Sequence, residues 1–196
     1  RLAKVDWTKW RGAINLLRDL SRQYSINTSI KENFCKKIAF EIYDKMPFIY
    51  SFKPFTSIGY RFKTQLNENA KMLAKHEVLP ELDHNEIMGW ENAEWENLVP
   101  IFLRGSKEPE EVKVRIDYWL KIFSSSGIKF FEVKVKGPNL LSEIFHLLLI
   151  VDITSYILSL LKGVDPLPVI TISKLKDYTE AKLSFKSKIS KEVLGG

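Results

Sequence analysis

Three short strand-like runs set the strongest limit on what this chain can fold into: Met46-Pro47-Phe48-Ile49-Tyr50-Ser51, Leu98-Val99-Pro100-Ile101-Phe102-Leu103, and Ile128 to Val135, with His76-Glu77-Val78-Leu79-Pro80 a brief strand or extended link between the first two. The two clearest, 46–51 and 98–103, are apolar throughout rather than alternating with polar residues, as strands covered on both faces should be. The stretches between strands are long enough for crossover helices, as parallel neighbours require. Helical periodicity covers 6–23, 28–45, 56–73, 109–123, 139–161 and about 169–183, with Asp6 and Thr28 as expected N-caps. In 56–73, for instance, Ile58, Phe62, Leu66 and Ala70 fall on one stripe. The expected fold is α/β, a three-layer α/β/α sandwich on a four- to five-stranded parallel sheet. Ligands in such folds sit at the carboxyl ends of the strands.

With 196 residues, one domain over 1–185 followed by a frayed tail, 186–196, is the simplest organisation. Twenty-four aromatic residues and 45% hydrophobic residues supply a real core and exclude disordered or low-complexity classes. Cys35 is the only cysteine, so a disulfide scaffold and a thiolate zinc site are both excluded, and a reducing cytoplasm is the expected setting. The net charge, 30 − 24 = +6, is spread along the chain and makes no nucleic-acid stripe. The run Leu147–Val151, continuing to Leu160-Leu161, is broken by Asp152, Thr154 and Ser155, and reads as a buried helix rather than a membrane span. Because the chain starts at Arg1, it is expected to be a piece of a longer polypeptide.

Neither a G-x-G-x-x-G nor a P-loop nor a G-x-S-x-G is present, so nucleotide binding and serine hydrolysis lack their usual signatures. His76 and His84 lie eight residues apart without a third ligand, and His146, on the apolar helix, reads as a core or boundary histidine. Two polar clusters remain. One is Asn67-Glu68-Asn69-Ala70-Lys71. The other is Pro80-Glu81-Leu82-Asp83-His84-Asn85-Glu86-Ile87-Met88-Gly89-Trp90. A helix end and a polar turn would account for them blandly, yet both carry more Asn, Glu and His than turn chemistry needs.

These clusters resemble the signature of the archaeal-type bifunctional phosphoglucose/phosphomannose isomerases, specifically their C-terminal sugar isomerase (SIS) domain. The resemblance extends to Asp152-Ile153-Thr154-Ser155-Tyr156, to Leu161-Lys162-Gly163-Val164-Asp165-Pro166-x-Pro168-Val169, where Leu167 replaces the family's small polar residue, and back to Arg1-Leu2-Ala3. It implies a flavodoxin-like SIS fold and an aldose–ketose isomerase that interconverts glucose 6-phosphate, and mannose 6-phosphate, with fructose 6-phosphate. Glu68 would be the base and His84, given by the neighbouring subunit, would help open the sugar ring. A lysine of the last helix, Lys174 or Lys176, would complete ring opening, and Arg1 would steady the enediolate. The implied partners are an N-terminal SIS domain whose Ser/Thr-rich loop holds the phosphate and a second copy in a homodimer. In that dimer Trp90 and Trp95 would be interface candidates. No cofactor or metal is expected, because one base, one histidine acid and nearby cations suffice for the proton transfers. The alternative from another class is a non-catalytic phosphosugar-binding regulatory SIS module, and a purely structural dimerisation domain is a third.

Overall fold

The computed structural model describes residues 6–92, 95–184 and 189. Two compact units divide the chain, 1–166 and 167–196. Within the first, four strands form one parallel sheet: β1 (Met46–Ser51), β2 (Lys75–Val78), β3 (Leu98–Arg104) and β4 (Phe131–Lys134). Their order is β2-β1-β3-β4, the doubly wound arrangement expected of apolar parallel strands. The helices are α1 (Trp7–Gln23), α2 (Phe34–Glu41), α3 (Thr56–Asn69), the single turn α4 (Glu86–Gly89), α5 (Glu110–Ser125) and α6 (Leu140–Leu161). The second unit contributes α7 (Ile170–Leu183).

Winding outward from the central pair β1 and β3 puts α3 and α5 on opposite faces, because each parallel crossover is right-handed. The side chains agree with this. Tyr50 and Phe102 turn toward Trp119 and Phe123 of α5, whereas Ser51 faces α3 and bonds His76 across the strands at 2.7 Å. On the α3 face, α6 lies at the centre with α1, α2 and α3 against it. By length and composition α6 could cross a membrane, but here it is the core helix of the layer, with Leu147, Ile150, Val151, Ile157 and Leu158 buried. At its boundary, Arg61 of α3 grips both oxygens of Asp152 at 2.9 Å.

The four strands and five of the expected helices lie where the periodicity puts them. One helix is shorter than expected. The residues from 28 do not begin a helix, and Thr28 instead donates to the carbonyl of Arg22. The true cap is Asn33, fully buried, which accepts from the Lys36 N–H and donates to the Ser25 carbonyl. That pair of bonds holds 25–33 as turns and starts α2 at Phe34. His146 is a core-boundary residue as expected, its Nε2 3.0 Å from the Tyr24 hydroxyl. Burial lowers its pKa.

Gly59 lets His76 sit in this layer. A Cβ there would lie 2.6 Å from His76 Cδ2 and 2.9 Å from Ser51 Oγ. Burial drives the His76 pKa down to about 4, so the folded protein holds the ring neutral. The unfolded chain takes up that proton below its ordinary value near 6.5. Stability contributed by neutral His76 is therefore complete above about pH 6.5 and is lost as pH falls toward 4. Thermal melting followed from pH 7 to pH 4.5 should show this loss, and His76→Gln should flatten the slope. Gly59→Ala should destabilise by about 1–3 kcal/mol through overpacking, outweighing the roughly 1 kcal/mol gain in helix propensity. In a His76→Ala background, denaturant unfolding should show that penalty shrink.

Candidate active site

Doubly wound sheets commonly bind anionic ligands at the switch point, here between the carboxyl ends of β1 and β3. In this chain that crevice is filled. Phe52 and Phe55 are buried beneath it, and a Cβ on Gly105 would lie 2.6 Å from the Phe55 ring and 2.7 Å from Glu143 Oε2. The buried Glu143 carboxylate accepts from the Ser106 N–H at 3.4 Å and from the Ser106 hydroxyl. Buried Arg104, at the end of β3, ties the same turn down through Glu108 at 2.6 Å. The backbone donor that could greet a phosphate thus serves an internal carboxylate, which would also repel one. That packing closes the switch-point crevice, one of the places where the fold class leads a ligand to be expected.

Glu68 lies at the other edge. Helix α3 starts after the carboxyl end of β1 and finishes near the amino end of β2, and Glu68 is exposed in its last turn. Glycines close α5 and α6: Gly127 and Gly163 have φ of 68° and 63°, and the following N–H groups of Ile128 and Val164 reach back to Phe123 and Ser159. Helix α3 ends differently, on Lys71 with φ 52°, a left-handed conformation that costs a residue with a Cβ roughly 1–2 kcal/mol. The motif's own side chains stabilise it. Asn67 donates to the Met72 carbonyl at 2.7 Å. Lys71 Nζ donates to the carbonyls of Glu68 and Pro166 at 2.5 and 3.3 Å, and Asn69 donates to Gln65 and to Ser155 of α6. The Asn-Glu-Asn-Ala-Lys cluster is therefore a helix end, as its bland reading has it. Asn67 and Lys71 hold the backbone and Asn69 ties the helix end to α6, while Glu68 faces solvent. Such held strain is characteristic of functional positions.

The second cluster lies on the other face. After β2 the chain makes a 3-10 turn (Glu81–Asp83), and His84 follows, exposed. Asp83 accepts from Trp119 Nε1 at 2.7 Å and from Arg115 at 2.8 Å, both on α5. Glu86 accepts from the Tyr50 hydroxyl at 3.1 Å and pairs with Lys75, and Trp90 Nε1 donates to the same hydroxyl at 2.9 Å. Trp90 is consequently a core residue, 5% exposed and edge-on to Phe48 and Phe123, and not the interface residue expected from the sequence. Trp95 is likewise packed against the core. Sequence reasoning passed over Tyr50, which looks like any strand aromatic, and gave no role to Glu86. The signal was Glu86 itself, a charged residue two positions from His84 and four from an indole.

Lys174 and Lys176 are exposed on α7, in the second unit, and Arg1 lies outside the described residues. Among the described residues no three His, Cys, Asp or Glu side chains gather as a metal site.

A sequence model for the bacterial phospho-glucose isomerase C-terminal SIS domain matches residues 31–178. The chain belongs to that family. A bifunctional phosphoglucose/phosphomannose isomerase of Aquifex aeolicus is 35% identical over 162 residues, 82% of this chain and 51% of its own length. The protein of the same name from Thermoplasma volcanium is 40% identical over 143 residues, 72% of this chain and 46% of its own. The chain thus spans about half the length of the relatives it matches. Among solved structures, a glucose-6-phosphate isomerase like protein from Thermus thermophilus superposes with a TM-score of 0.67 at 23% identity, covering 82% of this chain and 54% of that one. At that identity the likeness speaks for the SIS fold alone.

The strained helix end can be tested directly. Lys71→Ala keeps a Cβ in the left-handed conformation and deletes the Nζ bonds, and should cost about 1–2 kcal/mol in denaturant unfolding. Lys71→Gly loses the same bonds but removes the strain, so it should stay within about 1 kcal/mol of the parent. Equal losses in both variants would show that the backbone carries no strain there.

Proposed function

We propose that this domain is the catalytic half of an isomerase that interconverts glucose 6-phosphate, and mannose 6-phosphate, with fructose 6-phosphate. The observation that carries the reading is Glu68, a solvent-facing carboxylate on a helix end held in a costly conformation by its neighbours. The names of the relatives support the substrate class. Glu68 takes the proton from C2 of the open-chain aldose phosphate as that C–H pair forms the C1–C2 double bond and the carbonyl pair moves onto O1, giving a cis-enediolate. It returns the proton to C1 as the carbonyl re-forms at C2 and the O2 hydroxyl proton passes to O1. One base serving two adjacent carbons is all this step requires. His84 exchanges a proton with the ring oxygen in the opening step, assisted by Lys174 or Lys176, and Arg1 balances the charge that develops on the enediolate.

Glu68 and His84 are carried on opposite faces of the sheet, and no hydrogen bond or ion pair among the described residues joins them. A site that uses both therefore draws them from two copies, which supports a homodimer with composite sites. The closed switch point supports a phosphate pocket in the N-terminal SIS domain of the full-length chain rather than in this one.

In the full-length polypeptide, Glu68→Gln should fold normally, since the residue is exposed, and lose about 10²–10⁴ in turnover. Activity within a few-fold of the parent would refute the assignment and favour a regulatory SIS module. Mixing Glu68→Gln with His84→Ala protein should restore activity, because a heterodimer regains one intact site. Turnover should also survive exhaustive chelation, since the base, acid and cations named here complete the chemistry.

A further inference from the structure

His84 stands between two anchors of opposite origin. On its amino side, Asp83 is fastened to α5 by Trp119 Nε1 and Arg115. On its carboxyl side, Glu86 is fastened to β1 and β2 by the Tyr50 hydroxyl and Lys75. The second anchor is a directed chain: the Trp90 indole N–H donates to the Tyr50 oxygen, and the Tyr50 O–H donates to the Glu86 carboxylate. Its direction is fixed because an indole can only donate and a carboxylate can only accept. Tyr50 is buried and the Glu86 side chain is 7% exposed, so these bonds form where water does not compete. The core had no need of this arrangement. Phenylalanine at 50 would fill the same volume, and a four-residue helix such as α4 needs no buried carboxylate to start it.

We propose that Asp83 and Glu86 are positioning residues that fix the His84 turn against α5 and the sheet, so that an exposed imidazole is presented to the partner copy in one orientation. The inference rests on the ring-opening role given to His84 above. A histidine reaching across a subunit boundary gains nothing from its own surroundings, since the groups it works with belong to another chain. Its aim is set by the backbone that carries it. Displacing a catalytic group by about 1 Å can cost on the order of a hundredfold.

The split between cyclic and acyclic substrates tests this. A four-carbon aldose 4-phosphate has no free hydroxyl able to close a five- or six-membered ring, so its isomerisation needs Glu68 but no ring opening. In the full-length polypeptide, Glu86→Gln and Asp83→Asn should each slow glucose 6-phosphate turnover by about ten- to a hundredfold while leaving the four-carbon substrate within about twofold. Where that substrate turns over too slowly, inhibition by an acyclic hexitol 6-phosphate replaces it, with an inhibition constant again within about twofold of the parent. Tyr50→Phe, which deletes one oxygen from the anchor, provides a second variant should Glu86→Gln fail to fold. An equal loss on both substrates, or no loss on either, would overturn the positioning role. The His84→Ala protein separates the histidine's role from that of its anchors. If it shows no split, the ring-opening role of His84 falls. If it shows the split and the anchor variants do not, only the positioning role falls.

Discussion

The handedness of a parallel crossover governs everything else in this domain. The crossovers from β1 to β2 and from β2 to β3 run in opposite directions across the sheet, and each turns to the right. That alone sends the helix bearing Glu68 to one face and the segment bearing His84 to the other. Within one copy the two residues are thus carried by elements on different sides of the sheet. The polar chemistry of the domain is therefore divided by its topology before any residue is placed.

Each face then solves its own burial problem. The α3 side is built on the apolar helix α6, and pairs such as Ser51 with His76 and Arg61 with Asp152 match polar groups within it. The α5 side is aromatic. Tyr50, Trp90, Phe102, Trp119 and Phe123 stack at centroid distances of 4.9 to 6.2 Å, and two of their polar atoms are spent on Glu86 and Asp83. Tilted and edge-on contacts at such distances favour a single arrangement over many. An ordered aromatic layer is a firm base for the exposed loop that rests on it.

The strands were legible in the sequence because their burial on both faces removes polar residues, and a run such as Ile101-Phe102-Leu103 between turn residues is the direct mark of that burial. Helix α6 was legible for the same reason. Helix α2 was misjudged at its start because the Asn33 bonds to Ser25 and Lys36 are decided by tertiary folding, not by the helical stripe through Ile38 and Ile42. The two polar clusters could be located from composition, and the resemblance assigned them roles. Their placement on opposite faces could not be read until the strand order was known. Trp90 was misplaced because an indole beside charged residues looks like an interface residue, and nothing in the linear sequence says that its N–H meets Tyr50 forty positions away. The closed switch point was equally hidden, since Glu143 is near Ser106 only in space.

That closure bears on how the domain breathes. Ligand-gripping turns in doubly wound proteins are ordinarily among the softest parts of the fold, since they must open to admit their cargo. The β3–α5 turn here is bolted at both ends, to Glu143 through Ser106 and to Arg104 through Glu108, over a floor of phenylalanine. Although Ser106 and Lys107 are exposed, these bonds tie the turn to α6 and to β3. A turn fastened in this way samples fewer conformations than one held through its backbone alone.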